Sequence, residues 1–139
     1  MSGLNAFLSQ NAIKAENEKH IISERFVDEK GNPIPWEIRA LTAEEEEALR
    51  KSCTKTIRDK GIVTRETNYE EYIAKMVVEC VVFPNLKDNE LQESYGVLGA
   101  DKLVRKMLYS GEYTLLQDKV QKVNGFDKAM DELVEEVKN

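Results

Sequence analysis

Ile34-Pro35-Trp36-Glu37-Ile38-Arg39-Ala40-Leu41-Thr42-Ala43-Glu44-Glu45 decides the fold, because the residue period changes inside this one stretch. Ile34, Trp36 and Ile38 alternate with Pro35, Glu37 and Arg39, which sets the three large apolar side chains on one face of a strand. Thr42 then stands three residues before Glu45, the spacing of a capping box. The glutamates at 44–47 fall where the positive end of a helix dipole favours carboxylates. A strand feeding directly into a helix predicts the α+β class.

Upstream, residues 20–27 are rich in Ile, Phe and Val, and residues 28–33 form a polar stretch containing Gly31. The pattern predicts a β-hairpin over residues 20–40. Pro35 cannot donate to a ladder, which demotes the second strand to a sheet edge or leaves its N–H side facing water. Before the hairpin, residues 1–19 read as a flexible amino-terminal arm. Leu4, Phe7 and Leu8 make a small apolar patch, followed by a polar stretch with only Ala12, Ile13 and Ala15 to bury. A segment this short is not a stable helix alone, so Leu4, Phe7 and Leu8 are candidate partner-binding residues, with docking on the domain itself as the alternative.

Downstream, the helix opened by Thr42 carries a stripe of Leu49, Cys53 and Ile57 with Ala48 beside it, while Arg50, Lys51, Lys55 and Arg58 lie toward its negative end. Residues 59–68, containing Gly61, read as a loop. Thr67 and Glu70 form a second capping box ahead of Tyr69, Tyr72, Ile73, Met76, Val77, Cys80 and Val81, whose period is helical. The composition of residues 77–83 leaves a strand open as the alternative there, and Pro84 ends either element. Further helices are expected over residues 88–95, 101–109, 112–124 and 126–137, cut at Gly96, Gly99, Gly111 and Gly125. Trp36, Met76, Met107 and Met130 are expected in the core. The expectation is a mostly α-helical single domain over residues 20–139, an amino-terminal β-hairpin (20–40) followed by about five helices (41–139).

Composition narrows the function. A chain of 139 residues with net charge −6 and no clustered Lys or Arg is poorly suited to nucleic acid, whose binding relies on displacing condensed counterions. Residues 91–104 have the outline of a helix-turn-helix, but the surrounding residues 84–110 carry four acidic against four basic side chains. Residues 1–8 read as neither signal nor transit peptide, and no apolar run approaches the roughly 20 residues of a membrane span. Cys53 and Cys80 read as reduced core thiols of a cytoplasmic protein. His20 is the lone histidine and lacks a neighbouring nucleophile, and one His with two distant Cys matches no metal spacing. The 44–47 glutamates point around a helix instead of converging on a cation, and Gly96 and Gly99 lack a phosphate-loop frame. No catalytic set, metal site or cofactor site is expected. A protein-binding module follows.

Phe83-Pro84-Asn85-Leu86-Lys87-Asp88-Asn89-Glu90-Leu91-Gln92-Glu93-Ser94-Tyr95-Gly96, residues 103–108, Gly111-Glu112-Tyr113 and Asn124-Gly125, taken with Phe7-Leu8, Arg25-Phe26 and residues 34–42, resemble the tail assembly chaperones of long-tailed bacteriophages. The likeness is to the XkdN-like group of contractile-tail phages and prophages; residues 59–68 carry none of it. The resemblance implies a helix-rich α+β protein that works in the host bacterial cytoplasm and is absent from the mature virion. It also implies partners: the tape measure protein, whose apolar helices such chaperones are thought to shield, and the tail tube protein they recruit. Self-association is compatible with it, a membrane is not required, and many relatives exist in a second, frameshifted form. Two other readings stay open, a phage DNA-binding regulator using the helix-turn-helix outline and a minor structural tail protein.

Overall fold

The computed structural model describes residues 3–126. After a 3-10 turn at Gly3–Phe7 come β1 (Glu18–His20), β2 (Trp36–Ile38), α1 (Ala43–Ser52), β3 (Thr54–Asp59), β4 (Ile62–Thr67), α2 (Tyr69–Cys80), β5 (Val81–Phe83), α3 (Asn89–Ser94), α4 (Ala100–Met107) and α5 (Ser110–Val123). The class is α+β, but two sheets replace the single expected hairpin. One is antiparallel in the order β1-β2-β5, and the other is the β3-β4 pair. The helix expected over residues 126–137, and Met130 with it, lies outside the described residues.

The amino-terminal hairpin differs from expectation in where its strands lie. Glu18 pairs with Ile38 and His20 with Trp36, so the first strand ends at His20, where the expected one begins. Residues 21–27 instead form a connection in which Ile22 and Ser23 are buried and only one bridge, Val27 to Pro33, survives. The turn at 28–33 is present, with the Asp28 carboxylate accepting from the Lys30 and Asn32 N–H groups at 2.9 Å each. Nor is β2 an edge strand. It is the centre of the three-stranded sheet, with β5 along its other side. Pro35 lies just outside the ladder, so its missing N–H costs no strand pairing.

Thr42 and Glu45 form the expected capping box, the Glu45 N–H donating to Thr42 Oγ1 at 3.2 Å and the Thr42 N–H to Glu45 Oε1 at 3.0 Å. The helix then stops five residues before the expected stripe residue Ile57, at Ser52. Residues 54–58, expected as helix, and 59–67, expected as loop, are a six-by-six β-ribbon. Thr54, Thr56, Ile57, Ile62, Val63, Thr64 and Thr67 are β-branched, which disfavours a helix and suits a pleated strand. The two-residue turn at Lys60-Gly61 has positive φ at both positions, 51° and 81°, matching the twist a tight hairpin needs. At the ribbon's root the Thr54 and Thr67 hydroxyls meet at 2.8 Å and the Asn68 N–H donates to Cys53 O at 2.8 Å. Thr67 is therefore engaged in the ribbon, and the cap of α2 is Asn68, whose Oδ1 accepts from the Glu71 N–H at 3.1 Å.

Both readings of residues 69–83 hold in part, since α2 passes straight into β5 at Val81. The α2 helix is the centre of the helical half, packed against α1, α4 and α5. Ile38 and Trp36 from the sheet meet Met76, Val77 and Cys80 of α2, Leu103, Val104 and Met107 of α4, and Leu116 and Val120 of α5 in one core. Asp88 caps α3 through the Leu91 N–H, and Gly96 closes it. Gly99 does not stop a helix. At φ +116° it is the residue from which α4 starts, a backbone conformation open to glycine. Gly111 likewise cuts nothing, lying in the first turn of α5.

Candidate partner-binding site

Three features of the surface could receive a partner, on a frame fastened by side chains the sequence made prominent. Arg25 is clasped at the start of α5. Its guanidinium donates to Glu112 at 2.6 and 3.2 Å and to Met107 O at 2.7 Å, and lies over the Phe26 and Tyr109 rings at 4.9 and 4.4 Å. Glu112 also accepts from the Tyr109 N–H at 2.8 Å, capping α5. The Arg25 hydrogen bonds, helped by Ser23 and the Tyr109 N–H, pull the Glu112 carboxyl from 4.5 down to about 2, and Glu112 in turn raises the Arg25 guanidinium. Gln92 is buried between Leu86 O, to which it donates at 2.9 Å, and the Gly99 N–H, from which it accepts at 3.0 Å. Asn124 accepts from the Leu41 N–H at 2.8 Å and donates to Val120 O at 2.8 Å. These contacts fix the loops around the helices.

One opening is a groove of about 800 Å³ over α2, walled by α1 on one side and the start of α4 on the other. Leu49, Ala74, Val78 and Ala100 give it an apolar floor, and Ala48 lies on the α1 lip. Its rim is acidic: Glu45, Glu70, Glu71, Glu79 and Asp101 against Lys75 and Arg105. Most of these are tied into ion pairs, with Arg39 3.1 Å from Glu45 and 3.8 Å from Glu79, Lys75 3.0 Å from Glu71 and Arg105 3.6 Å from Asp101. Glu70 has no ion pair among the described residues. The hydrogen bond from the Thr42 N–H, then that from Arg39, holds the Glu45 carboxyl below its ordinary range, and Glu71 holds the Lys75 ammonium above its own. A narrower cleft of about 290 Å³ lies between α2 and α5, lined by Ile73, Met76, Val120 and Phe126. Beside it the Tyr72 hydroxyl donates to Glu46, and burial followed by that bond raises its pKa.

The arm is the second feature. Leu4 and Phe7 lie in the 3-10 turn, Leu8 follows it with its N–H donating to Asn5 O at 3.3 Å, and the next turn is closed by the Ala12 and Asn11 N–H groups donating to Leu8 O at 2.8 and 2.9 Å. Phe7 is 81% exposed and Ile13 100% exposed, and no residue of the turn is buried. None of Leu4, Phe7 and Leu8 lines either opening. The third feature is the β3-β4 ribbon, every residue of which from 55 to 66 is exposed. Lys55, Arg58, Lys60 and Arg65 take part in no ion pair there among the described residues.

The remaining candidates fall apart as sites. His20 Nε2 lies 3.2 Å from Glu18 Oε1 at the end of β1. Cys53 and Cys80 are free and buried, and burial pushes the Cys80 thiol up. No group of three or more metal-ligating side chains occurs among the described residues, and no helix there is long and apolar enough to cross a membrane. Trp36, at 2% exposure, is a core residue as expected. The groove is the feature the sequence hid. Its floor comes from three helices spread over some fifty residues, and alanines give no amphipathic signal of their own; Ala48 beside Leu49 was the only hint.

The sequence and its fold have known counterparts. The phage-like element PBSX protein XkdN of Bacillus subtilis (strain 168) is 32% identical over 139 residues, covering 98% of this chain and 93% of that protein. The uncharacterized protein YqbN of the same strain is 34% identical over 139 residues with the same coverage. The crystal structure of YqbN matches with a TM-score of 0.79 at 29% identity, over 90% of this chain and 98% of that one. The model of the phage XkdN-like tail assembly chaperone proteins matches residues 4–138, arm and ribbon included. With nearly every residue inside that match, the chain belongs to the XkdN-like family of phage tail assembly chaperones.

Proposed function

We propose that the chain binds the tape measure protein of a phage or prophage before assembly, keeps it soluble, and recruits tail tube subunits to it. A tape measure is a long helix, and its unassembled apolar stripes attract one another unless a partner covers them. The work is done in the host cytoplasm, and the chaperone leaves before the particle is finished. Membership of a chaperone family supports the general role, and the phage-like element that carries the relative XkdN favours a prophage setting. The exposed arm is the observation that carries the reading. A turn that displays Phe7 at 81% exposure and buries none of its residues is suited to folding onto something else. Leu4, Phe7 and Leu8 are assigned to that contact.

The test is coexpression with the tape measure protein encoded alongside, followed by affinity capture, for the full chain and for a form lacking residues 1–10. The full chain is expected to hold the tape measure in the soluble fraction. The truncated form should keep its melting temperature within about 2 °C and lose most of the captured partner, since each buried Leu or Phe contributes roughly 1.5–3 kcal/mol to such a contact. A tape measure that is equally soluble without this chain would overturn the role. Equal capture by the truncated form would remove Leu4, Phe7 and Leu8 from it.

A further inference from the structure

We infer that the groove between α1 and α4 seats one helix of a partner, with an apolar stripe bordered by lysine or arginine. The inference rests on the reading that the chain binds unassembled helices, and it assigns the site and the chemistry of what enters. The floor of Leu49, Ala74, Val78 and Ala100 offers apolar surface with little side-chain bulk, so a second helix can approach the α2 backbone closely. Charged rim residues on α2 recur each turn, Glu71, Lys75 and Glu79. That spacing matches side chains four apart on a helix lying alongside and would be wasted on a compact ligand.

Charge chooses the sign of the occupant. The groove is lined by five carboxylates, Glu45, Glu70, Glu71, Glu79 and Asp101, against two cations, Lys75 and Arg105, so this face carries excess negative charge on a chain of net −6. Arg39 and Lys87 offset Glu45 and Glu79 from outside the groove, while Glu70 has no ion pair among the described residues. The rim pairs are solvent-exposed, contribute little to the free protein and can be exchanged for a partner's cations. A cationic helix therefore enters an attractive field, and an acidic one of equal hydrophobicity meets repulsion.

The experiment uses the full chain and two fluorescein-labelled peptides of 18 residues, each with leucines at helical spacing, one filled out with lysine and the other with glutamate. Anisotropy is read at ~0.15 M salt, where charges beyond about 8 Å are screened. The lysine helix should bind at least tenfold more tightly than the glutamate helix. Ala48→Trp, at an exposed position on the groove lip, should weaken the lysine helix by tenfold or more; Ala48→Leu, smaller, should weaken it less. Glu70→Lys should weaken it severalfold. Amide shifts on binding should centre on Ala74, Val78 and Ala100. Equal affinity for the two peptides, or binding indifferent to both Ala48 variants, overturns the inference. So does a wild-type chain that self-associates, becomes monomeric with Ala48→Trp and binds neither peptide, since the occupant is then a second copy. Capture of the tape measure by wild type and Ala48→Trp alike would sink the groove and leave the chaperone reading standing. Failure of wild type to capture it, with the lysine helix still bound in the groove, would sink the reading and leave the site.

Discussion

At the residue scale, the side chains that made this sequence recognisable are mostly fasteners. Arg25 and Glu112, 87 residues apart, pin the loop before β2 to the first turn of α5. Glu112→Gln places an amide nitrogen against the Arg25 donors, and the expected loss in melting temperature is on the order of 3–8 °C by calorimetry at pH 7. The acid limb should change as well. Because the Glu112 carboxyl titrates at about 2 in the folded chain against 4.5 ordinarily, the stability it supplies is complete above about 4.5 and disappears as the pH falls toward 2. The gap in melting temperature between wild type and Glu112→Gln should therefore narrow between pH 5 and pH 2; a gap that stays constant would mean the carboxylate's charge is not what matters. Gln92→Ala, which leaves Leu86 O and the Gly99 N–H unpaired beneath the surface, should cost about 2–3 kcal/mol in urea unfolding. Residues like these were visible in the sequence by identity, but their roles were not, because each bond joins positions that only the folded chain brings together.

Among the elements, legibility followed the number of solvated faces. The α2 helix, with Ala74, Met76, Val77 and Cys80 buried on one side, declared its period, and so did the Trp36–Ile38 strand. The ribbon did not, since alternation signals a strand only when one face is buried and the other wet, and here both are wet. Leu49, Cys53 and Ile57 happen to recur every fourth residue, which imitated a helix continuing through the ribbon's first strand. The sequence signal for the ribbon is Lys60-Gly61 between two β-branched runs. Lys60 occupies φ +51°, a region that asparagine tolerates better, so Lys60→Asn should slow amide exchange across residues 54–67 severalfold and change global stability by only a few tenths of a kcal/mol. Gly61→Val, forced to φ +81°, should accelerate exchange over the same residues and leave α2 and α5 protected. If either variant moved the global transition by several kcal/mol, the ribbon would belong to the cooperative core.

For the molecule as a whole, Trp36 is the natural reporter, because it touches both halves of the fold: it pairs with His20 in the sheet and joins α2, α4 and α5 in one core. Its fluorescence transition in urea should coincide with the loss of helical ellipticity, and separate midpoints would show that sheet and helices unfold as two units. The α+β class and the central core could be read in advance from strand alternation and helix period; the sheet order and the groove could not, because both depend on where α2 and β5 turn back against residues far away in the chain. The ribbon, finally, has a practical consequence. It is anchored at Thr54, Thr67 and Asn68 and ends in a two-residue tip whose neighbours are all in water. A tip of that kind tolerates lengthening. A fluorescent or epitope tag spliced between Lys60 and Gly61 would leave both termini untouched, so that arm and carboxyl end remain native while the chaperone is followed through tail assembly in living cells.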